Sequence, residues 1–157
     1  METIILSPLG NIKLVEEDNQ LTEVIFTDQA ITPMPENELL QETELQLNNY
    51  FKSELKEFEI SINPSGTEFQ QSVWRELRLI PYGTTISYQE LANRLGDPKT
   101  IRAAASANGQ NPLAILIPCH RVIGSNGEMT GYVGGIHRKQ DLLKLEGAEV
   151  MNQMNLF

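Results

Sequence analysis

The residue pattern changes at Asn63-Pro64-Ser65-Gly66, and this change constrains the fold more than any other feature of the chain. Before it, apolar and polar residues alternate in short runs, which is typical of half-buried β-strands. After it, a series of helix-start signals follows, each with a side chain able to cap a free N–H group. Because the tetrapeptide is also rich in turn-forming residues, we predict two domains, 1–63 and 64–157.

The first part predicts an α/β domain, a small antiparallel sheet plus one helix. Three apolar runs separated by turn-forming residues predict strands at 3–6, 12–15 and 21–26. After a Pro-rich break, Leu40, Leu47 and Phe51 fall near a 3.6-residue repeat and predict a helix. Residues 58–62 alternate again, which predicts a fourth strand.

The second part predicts a mainly α-helical domain. Helix starts are indicated by capping boxes at 67–70 and 87–90, by the Asp-Pro pair at 97–98 and by the Gly-rich stretch before Ile136. The corresponding helices are expected to end near Ile80, Leu95, Asn108 and Glu146. The second and third helices are separated by a turn that contains Gly96, so they predict a helix-turn-helix.

Charge is divided unevenly along the chain. Its net charge is −9, with 12 basic and 21 acidic side chains. Residues 1–63 hold three basic and 13 acidic residues, net −10, whereas 64–157 hold nine and eight, net +1. The acidic average argues against nucleic acid as a partner, but the second part can still present a weakly basic face.

Length and composition exclude several classes of protein. The longest apolar run, Leu113–Ile117, is far shorter than the roughly 20 residues that a membrane-spanning helix needs. Met1-Glu2-Thr3 opens without the basic segment of a secretory signal, so we expect a cytoplasmic protein, associated with the nucleoid in a prokaryote. One cysteine and two histidines provide neither a disulfide nor a four-ligand zinc site, and we expect no metal and no cofactor.

Cys119 is the only thiol of the chain. A lone cysteine beside an apolar run is more often a small core residue than a nucleophile. Here His120 and Arg121 follow it directly, and a nearby positive charge lowers the pKa of a thiol toward the reactive thiolate. Consecutive side chains of an extended segment point to opposite faces, so we expect a water molecule to connect Cys119 with His120.

Two further groups have both a chemical and an ordinary structural interpretation. His120 would need an acid to set its tautomer, and the candidates are Glu146, Asp141 and Glu128. Glu146 is the simplest candidate, because the leucines around it bury the last helix and allow its side chain to point inward. An acidic residue at a helix end is, however, more often a solvated surface residue. Arg102 lies among small residues that would allow its helix to approach a nucleic-acid groove, but an Ala-rich core helix fits this pattern equally well.

The run Ile117-Pro118-Cys119-His120-Arg121-Val122 resembles the O6-alkylguanine-DNA alkyltransferases, the methylated-DNA–protein-cysteine methyltransferases. The resemblance covers about residues 67–147. Its other motifs match in order and spacing: 69–88, the Arg102 helix, Asn111-Pro112, 130–135 and the Leu-Glu-Gly at 145–147. Residues 1–63 resemble the variable N-terminal domain of that family in their pattern of strands and one helix.

The resemblance implies DNA repair by transfer of the alkyl group of O6-alkylguanine to Cys119, after the damaged nucleotide is flipped out of the duplex. The reaction would be a single-turnover, suicide reaction. The resemblance leaves O4-alkylthymine open as a second substrate. His120 would act through water as the base, with Glu146 orienting it, Tyr88 near guanine N3 and Asn111 as a hinge. Arg102 would enter the base stack. The other implied DNA contacts are Gln89, Ser125, Arg121 and Lys99. The implied pocket residues are Val122, Tyr132, Val133 and Asn108.

The same resemblance implies a monomer that binds double-stranded DNA through the minor groove. Three residues depart from the family pattern, namely Asp141 in place of Trp, Gln110 in place of Arg and Val133 in place of Ser or Ala. These departures bear on packing behind the site, DNA affinity and pocket size. Two alternatives remain open: a damage-recognition module without transfer, which the presence of Cys119 opposes, and a Cys-His hydrolase, for which the only distant histidine is His137.

Overall fold

The computed structural model describes residues 1–129 and 131–148, so Thr130 of the 130–135 motif lies outside the described residues. Contacts divide the chain into two compact units. Unit 1 comprises Met1–Ser65 together with Pro112–Leu116, and unit 2 comprises Gly66–Asn111 and the chain from Ile117 onward. The segment Pro112–Leu116, expected within the second domain, therefore belongs to the first unit. Within the described ranges, no helix is both long and apolar enough to cross a bilayer.

Unit 1 is built on an antiparallel sheet of order β1-β2-β3. The strands are β1 (Glu2–Ile5), β2 (Asn11–Glu17) and β3 (Gln20–Thr27). Asp18 and Asn19 connect β2 to β3 with φ angles of 52° and 62°, the left-handed backbone that a tight hairpin requires. Helix α1 (Glu38–Phe51) begins where the Asn37 side chain accepts a hydrogen bond from the Leu40 N–H. The predicted sheet and helix are thus confirmed.

The predicted fourth strand at 58–62 is wrong. Within the segment only Ile62 pairs with the sheet, in a parallel bridge to Leu21. The backbone of Glu59 is occupied instead by the Gln46 side chain, which accepts from its N–H at 2.9 Å and donates to its carbonyl at 3.3 Å. A second parallel bridge joins Val24 to Leu113, so two short segments cover the edge of β3.

Unit 2 contains the predicted helices and one short parallel ladder. Its elements are α2 (Glu68–Leu77), β4 (Ile86–Ser87), α3 (Tyr88–Arg94), α4 (Ile101–Gly109), β5 (Val122–Ile123) and α5 (Ile136–Leu145). The capping box of α2 is present: the Thr67 side chain accepts from Gln70 N–H, and the Gln70 side chain accepts from Thr67 N–H. Strands β4 and β5 pair in parallel, which places Val122 opposite Ile86.

The helix-turn-helix consists of α3 and α4. Gly96 follows α3 with φ +95°, a left-handed conformation that ends the helix. Glycine adopts this conformation readily because it has no Cβ. The third predicted helix is divided: Pro98–Thr100 forms a 3-10 turn capped by Asp97, and the α-helix itself begins at Ile101. The expected single helix over 98–108 is corrected in this respect.

Trp74 attaches α2 to α4. Its indole N–H donates to the carbonyl of Ala107 at 2.9 Å, and both residues are buried. Because Ala104 and Ala107 carry only methyl groups, the two helices approach closely enough for this bond. The helix that carries Arg102 is therefore held to α2 by a buried hydrogen bond.

Gly66 leaves the space that the Trp74 ring occupies. A Cβ added at this glycine would lie 2.5 Å from the ring, too close for any real contact. We expect Gly66→Ala to lower the free energy of unfolding by about 1–3 kcal/mol, since overpacking displaces a fixed ring. Urea unfolding followed by Trp74 fluorescence measures the change, and exposed Ser65→Ala serves as the control. A variant as stable as the parent would show that the ring can move at little cost.

Candidate active site

Cys119 lies in a turn held by two asparagines. Cys119–Arg121 forms one turn of 3-10 helix after Pro118, whereas the sequence analysis expected extended chain. The Nδ2 of Asn111 donates to the Ile117 carbonyl at 2.7 Å and to Cys119 Sγ at 3.3 Å. The Nδ2 of Asn108, in α4, donates to the Cys119 carbonyl at 3.4 Å. The segment carrying the thiol is therefore positioned by the end of the helix that carries Arg102.

The thiol is buried, with 5% of Cys119 exposed. Burial raises the pKa of Cys119, while the hydrogen bond from Asn111 and the positive charge of Lys139 act in the opposite direction. From their positions next to the thiol, His120 and Arg121 were expected to supply the favourable charge. The structure corrects this, because the cation that stabilises the thiolate form is Lys139.

Lys139 is the site residue that sequence reasoning missed. It lies in α5 with no exposed surface, and its Nζ is 3.5 Å from the hydroxyl of Tyr88 and 5.7 Å from the centre of that ring. Burial lowers the pKa of Lys139 to about 8, against the opposing effect of Cys119. The sequence contained a signal for the burial of Lys139. It precedes Leu142 and Leu143 by three and four residues, so it lies on the same, buried face of α5.

His120 and Glu146 meet directly. The Nε2 of His120 lies 2.7 Å from Glu146 Oε2, and both side chains are fully buried. Burial would raise the pKa of Glu146, but the hydrogen bonds and charges of His120 and Arg121 hold it well below its usual range. Burial lowers the pKa of His120, opposed by Glu146. Of the three candidate acids only Glu146 reaches the ring, since Asp141 and Glu128 are exposed.

Arg121 does not lie where a DNA contact would place it. Its Nε and Nη2 donate to the two oxygens of Glu146 at 2.9 and 3.0 Å, and its Nη1 donates to the Ile80 carbonyl at 2.7 Å. Only 7% of the residue is exposed. The expected DNA-contacting role is corrected, because its guanidinium is already bound inside the protein.

The expected pocket residues fall into two groups. Val122 and Tyr132 are buried, whereas Val133 is 68% exposed. Burial raises the pKa of Tyr132 well above its usual value, and its hydroxyl has no hydrogen-bond partner among the described residues. Tyr88 is close to Gly131, whose φ is +70° and where a Cβ would lie 3.2 Å from the Tyr88 hydroxyl. Glycine at 131 therefore avoids a tight contact with that hydroxyl.

The expected DNA contacts are mostly exposed. Arg102 and Lys99 are exposed in α4 and in the 3-10 turn before it, and Ser125 is exposed after β5. Gln89 is half-buried and donates to the side chain of Asn93 at 3.1 Å. Gln110, which stands where the family often has arginine, accepts a hydrogen bond of 2.7 Å from the side chain of Gln70.

Models of known protein families match both parts of the chain. Two family models match: the DNA-binding domain of 6-O-methylguanine DNA methyltransferase over residues 68–148, and its ribonuclease-like domain over residues 1–64. The methylated-DNA–protein-cysteine methyltransferase of Mycobacterium leprae is 46% identical over 156 residues, covering 96% of this chain and 94% of the relative. That of Methanosarcina acetivorans is 46% identical over 148 residues, covering 90% and 95%.

Solved structures give the same result. The O6-methylguanine methyltransferase of Mycobacterium tuberculosis superimposes with a TM-score of 0.84 at 44% identity, covering 94% of this chain and 93% of that one. The Mycobacterium tuberculosis OGT in complex with DNA superimposes with a TM-score of 0.86 at 42% identity, covering 98% of both chains. These findings show that the chain belongs to the 6-O-methylguanine DNA methyltransferase family.

Proposed function

We propose that this protein repairs DNA by transferring the alkyl group of O6-alkylguanine irreversibly to Cys119, one group per molecule. The observation that carries the proposal is the buried sulfur 3.3 Å from Asn111 Nδ2, in the same turn as His120, whose ring contacts Glu146. Its relatives are named methylated-DNA–protein-cysteine methyltransferases, and one neighbour was solved in complex with DNA. DNA is accordingly the partner of this chain.

The first step generates the nucleophile. The thiol proton passes through a water molecule to Nδ1 of His120, a buried nitrogen without a partner among the described residues. Glu146, which lies 2.7 Å from Nε2 of the same ring, stabilises the resulting imidazolium. Lys139 and the Asn111 amide stabilise the thiolate. Both charges of the activated state are therefore balanced by groups already in place.

The second step breaks the bond from the alkyl carbon to O6. The thiolate attacks that carbon, the C–S bond forms as the C–O bond breaks, and the electron pair leaves on the guanine. Tyr88 donates a proton to the departing base, with the Lys139 Nζ 3.5 Å from its hydroxyl. The thioether product has no group to hydrolyse it, so each molecule reacts once.

A base stacked in a duplex cannot reach a buried sulfur, so the damaged nucleotide is flipped out. Arg102, exposed on α4, occupies the gap in the stack, and Lys99, Gln89 and Ser125 contact the backbone. We place α4 in the minor groove, where only limited base-specific reading is possible. In this proposal the protein acts as a monomer in the cytoplasm, and residues 64–157 form the domain that binds DNA and accepts the alkyl group.

Stoichiometry tests the proposal. With duplex DNA carrying a radiolabelled methyl group on guanine O6, label in the protein should rise to one equivalent and then stop, however much DNA is added. Free labelled methanol, or continued loss of label from DNA after that point, would identify a hydrolase instead. An absence of any transfer, with damaged DNA still bound, would identify a recognition module.

Lys139→Met should slow transfer at neutral pH. Removing the buried cation raises the pKa of Cys119 and leaves less thiolate, so we expect about a tenfold loss of transfer rate with free O6-benzylguanine. Because Lys139 loses its proton near pH 8, the difference in transfer rate between the variant and the parent protein should become smaller as the pH rises above 8. Exposed Lys144→Met in the same helix is the matched control. A gap of constant size across the pH range would contradict the electrostatic role.

A further inference from the structure

The carboxylate of Glu146 accepts hydrogen bonds from three residues. Oε2 is 2.7 Å from His120 Nε2 and 3.0 Å from Arg121 Nη2, and Oε1 is 2.9 Å from Arg121 Nε and 3.2 Å from the Gly83 N–H. Arg121 therefore binds both oxygens in the planar, two-bond arrangement that guanidinium makes with carboxylate. Its third contact, to the Ile80 carbonyl at 2.7 Å, fixes the guanidinium itself.

This arrangement determines which histidine nitrogen carries a proton. An ionised carboxylate can only accept hydrogen bonds, so a neutral His120 must donate to Glu146 from Nε2. The proton of the neutral ring is then on Nε2, and Nδ1 holds the free lone pair. If Glu146 were protonated, it could donate to Nε2 instead, the ring proton would move to Nδ1, and Nδ1 could no longer accept.

We propose that Arg121 is a positioning residue for alkyl transfer, whose guanidinium keeps Glu146 ionised and aligned on Nε2 of His120 so that Nδ1 is left to accept the thiol proton. The proposal deepens the proposed function and rests on it for the role of Nδ1. It replaces the DNA-contacting role that the sequence motif implied. Arginine suits this task better than lysine because one planar group binds both oxygens and a backbone carbonyl at once.

The charged groups around His120 give the direction of the effect. Glu146, at the C-terminal end of α5, raises the pKa of His120, whereas Arg121 in its own turn and Lys139 in α5 lower it. Cys119 precedes it in the same turn, and Tyr132 lies near that thiol. Removing the Arg121 charge alone should therefore move the His120 titration to higher pH.

The state of the ring can be read directly in the unmodified protein. The chain has only two histidines, and His137 is exposed, so long-range ¹⁵N–¹H NMR correlations yield two ring systems, one of them an internal reference. We expect neutral His120 as the Nε2–H tautomer, titrating at lower pH than an ordinary histidine. The Nδ1–H tautomer in the parent protein would overturn the proposal. Since no substrate is present, this result is independent of whether alkyl transfer occurs.

Two substitutions separate the charge of Arg121 from its geometry. Arg121→Met should raise the pH at which the His120–Glu146 pair takes up a proton, populate the Nδ1–H tautomer, move the acid limb of the transfer rate with O6-benzylguanine to higher pH, and slow transfer roughly 10- to 100-fold at neutral pH. Arg121→Lys keeps the charge, so it should keep the parent tautomer and titration while slowing transfer. Arg75→Met, an exposed change in α2, should alter none of these.

A purely structural role predicts a different result. It would slow transfer in Arg121→Met while leaving the His120 tautomer and titration at their parent values, and that outcome overturns the proposal. Far-UV circular dichroism and Trp74 fluorescence establish whether each variant is folded. If Arg121→Met does not fold, the His120 tautomer in the parent protein and in Arg121→Lys decides the question. The Nδ1–H tautomer in either of these two proteins would overturn the proposal.

Discussion

We expect Cys119→Ala and Cys119→Ser each to abolish alkyl transfer, with no label above background after a time sufficient for complete reaction of the parent protein. The chain has one thiol, and it is the atom that Asn111 Nδ2 and the charge of Lys139 act upon. A serine hydroxyl is far less acidic than a thiol, so neither Asn111 nor Lys139 can convert it into a comparable nucleophile. The expected effect is therefore total rather than a graded loss.

Binding must survive for this result to identify a nucleophile. Cys119 is buried, whereas Arg102 and Lys99 are exposed, so we expect gel-shift affinity for duplex DNA within a few-fold of the parent. Matching unfolding curves, followed by Trp74 fluorescence, exclude a folding defect. Methyl uptake by either variant, measured with radiolabelled DNA, would remove Cys119 from its role.

Arg102→Ala should separate the two kinds of substrate. Reaction with duplex DNA requires an unstacked base and a filled gap, which costs a few kcal/mol, whereas free O6-benzylguanine requires neither. We therefore expect roughly a 100-fold loss of rate on duplex and less than a twofold change on the free base, each 1.4 kcal/mol being a factor of ten. Single-turnover rates on both substrates give the comparison.

Lys99→Ala is the matched control for the lost charge. Lys99 is exposed in the 3-10 turn that precedes α4, so its removal weakens phosphate attraction without altering the residue that enters the stack. We expect Lys99→Ala to lower the transfer rate on duplex DNA only slightly, and this effect should diminish as the salt concentration is raised. Equal losses on duplex and free base in Arg102→Ala, or equal losses in both variants, would contradict the gap-filling role.

Local signals were sufficient for most of the fold. Thr67 and Gln70 form the predicted capping box, because a capping box depends only on residues three positions apart. The segment 58–62 was misjudged because its competitor, the Gln46 side chain, lies 13 residues away. The place of Leu113 beside Val24 is likewise a long-range pairing that no local pattern encodes.

The site shows the same division. The motif around Cys119 predicts a nucleophile there, and burial between leucines correctly favoured Glu146 as the partner of His120. The source of the cation was misassigned because adjacency in sequence was taken for adjacency in space: Arg121 turns toward Glu146, and Lys139 supplies the charge instead. Only tertiary packing determines which of several nearby cations faces a buried thiol.

Intact-protein mass spectrometry after incubation with duplex DNA containing O6-methylguanine is the most direct test of the account. We predict that the whole population gains the mass of one methyl group, that excess DNA adds nothing further, and that fragmentation places the methyl group on Cys119. An unmodified protein after complete loss of methyl from the DNA, or a methyl group located on any other residue, would contradict the account.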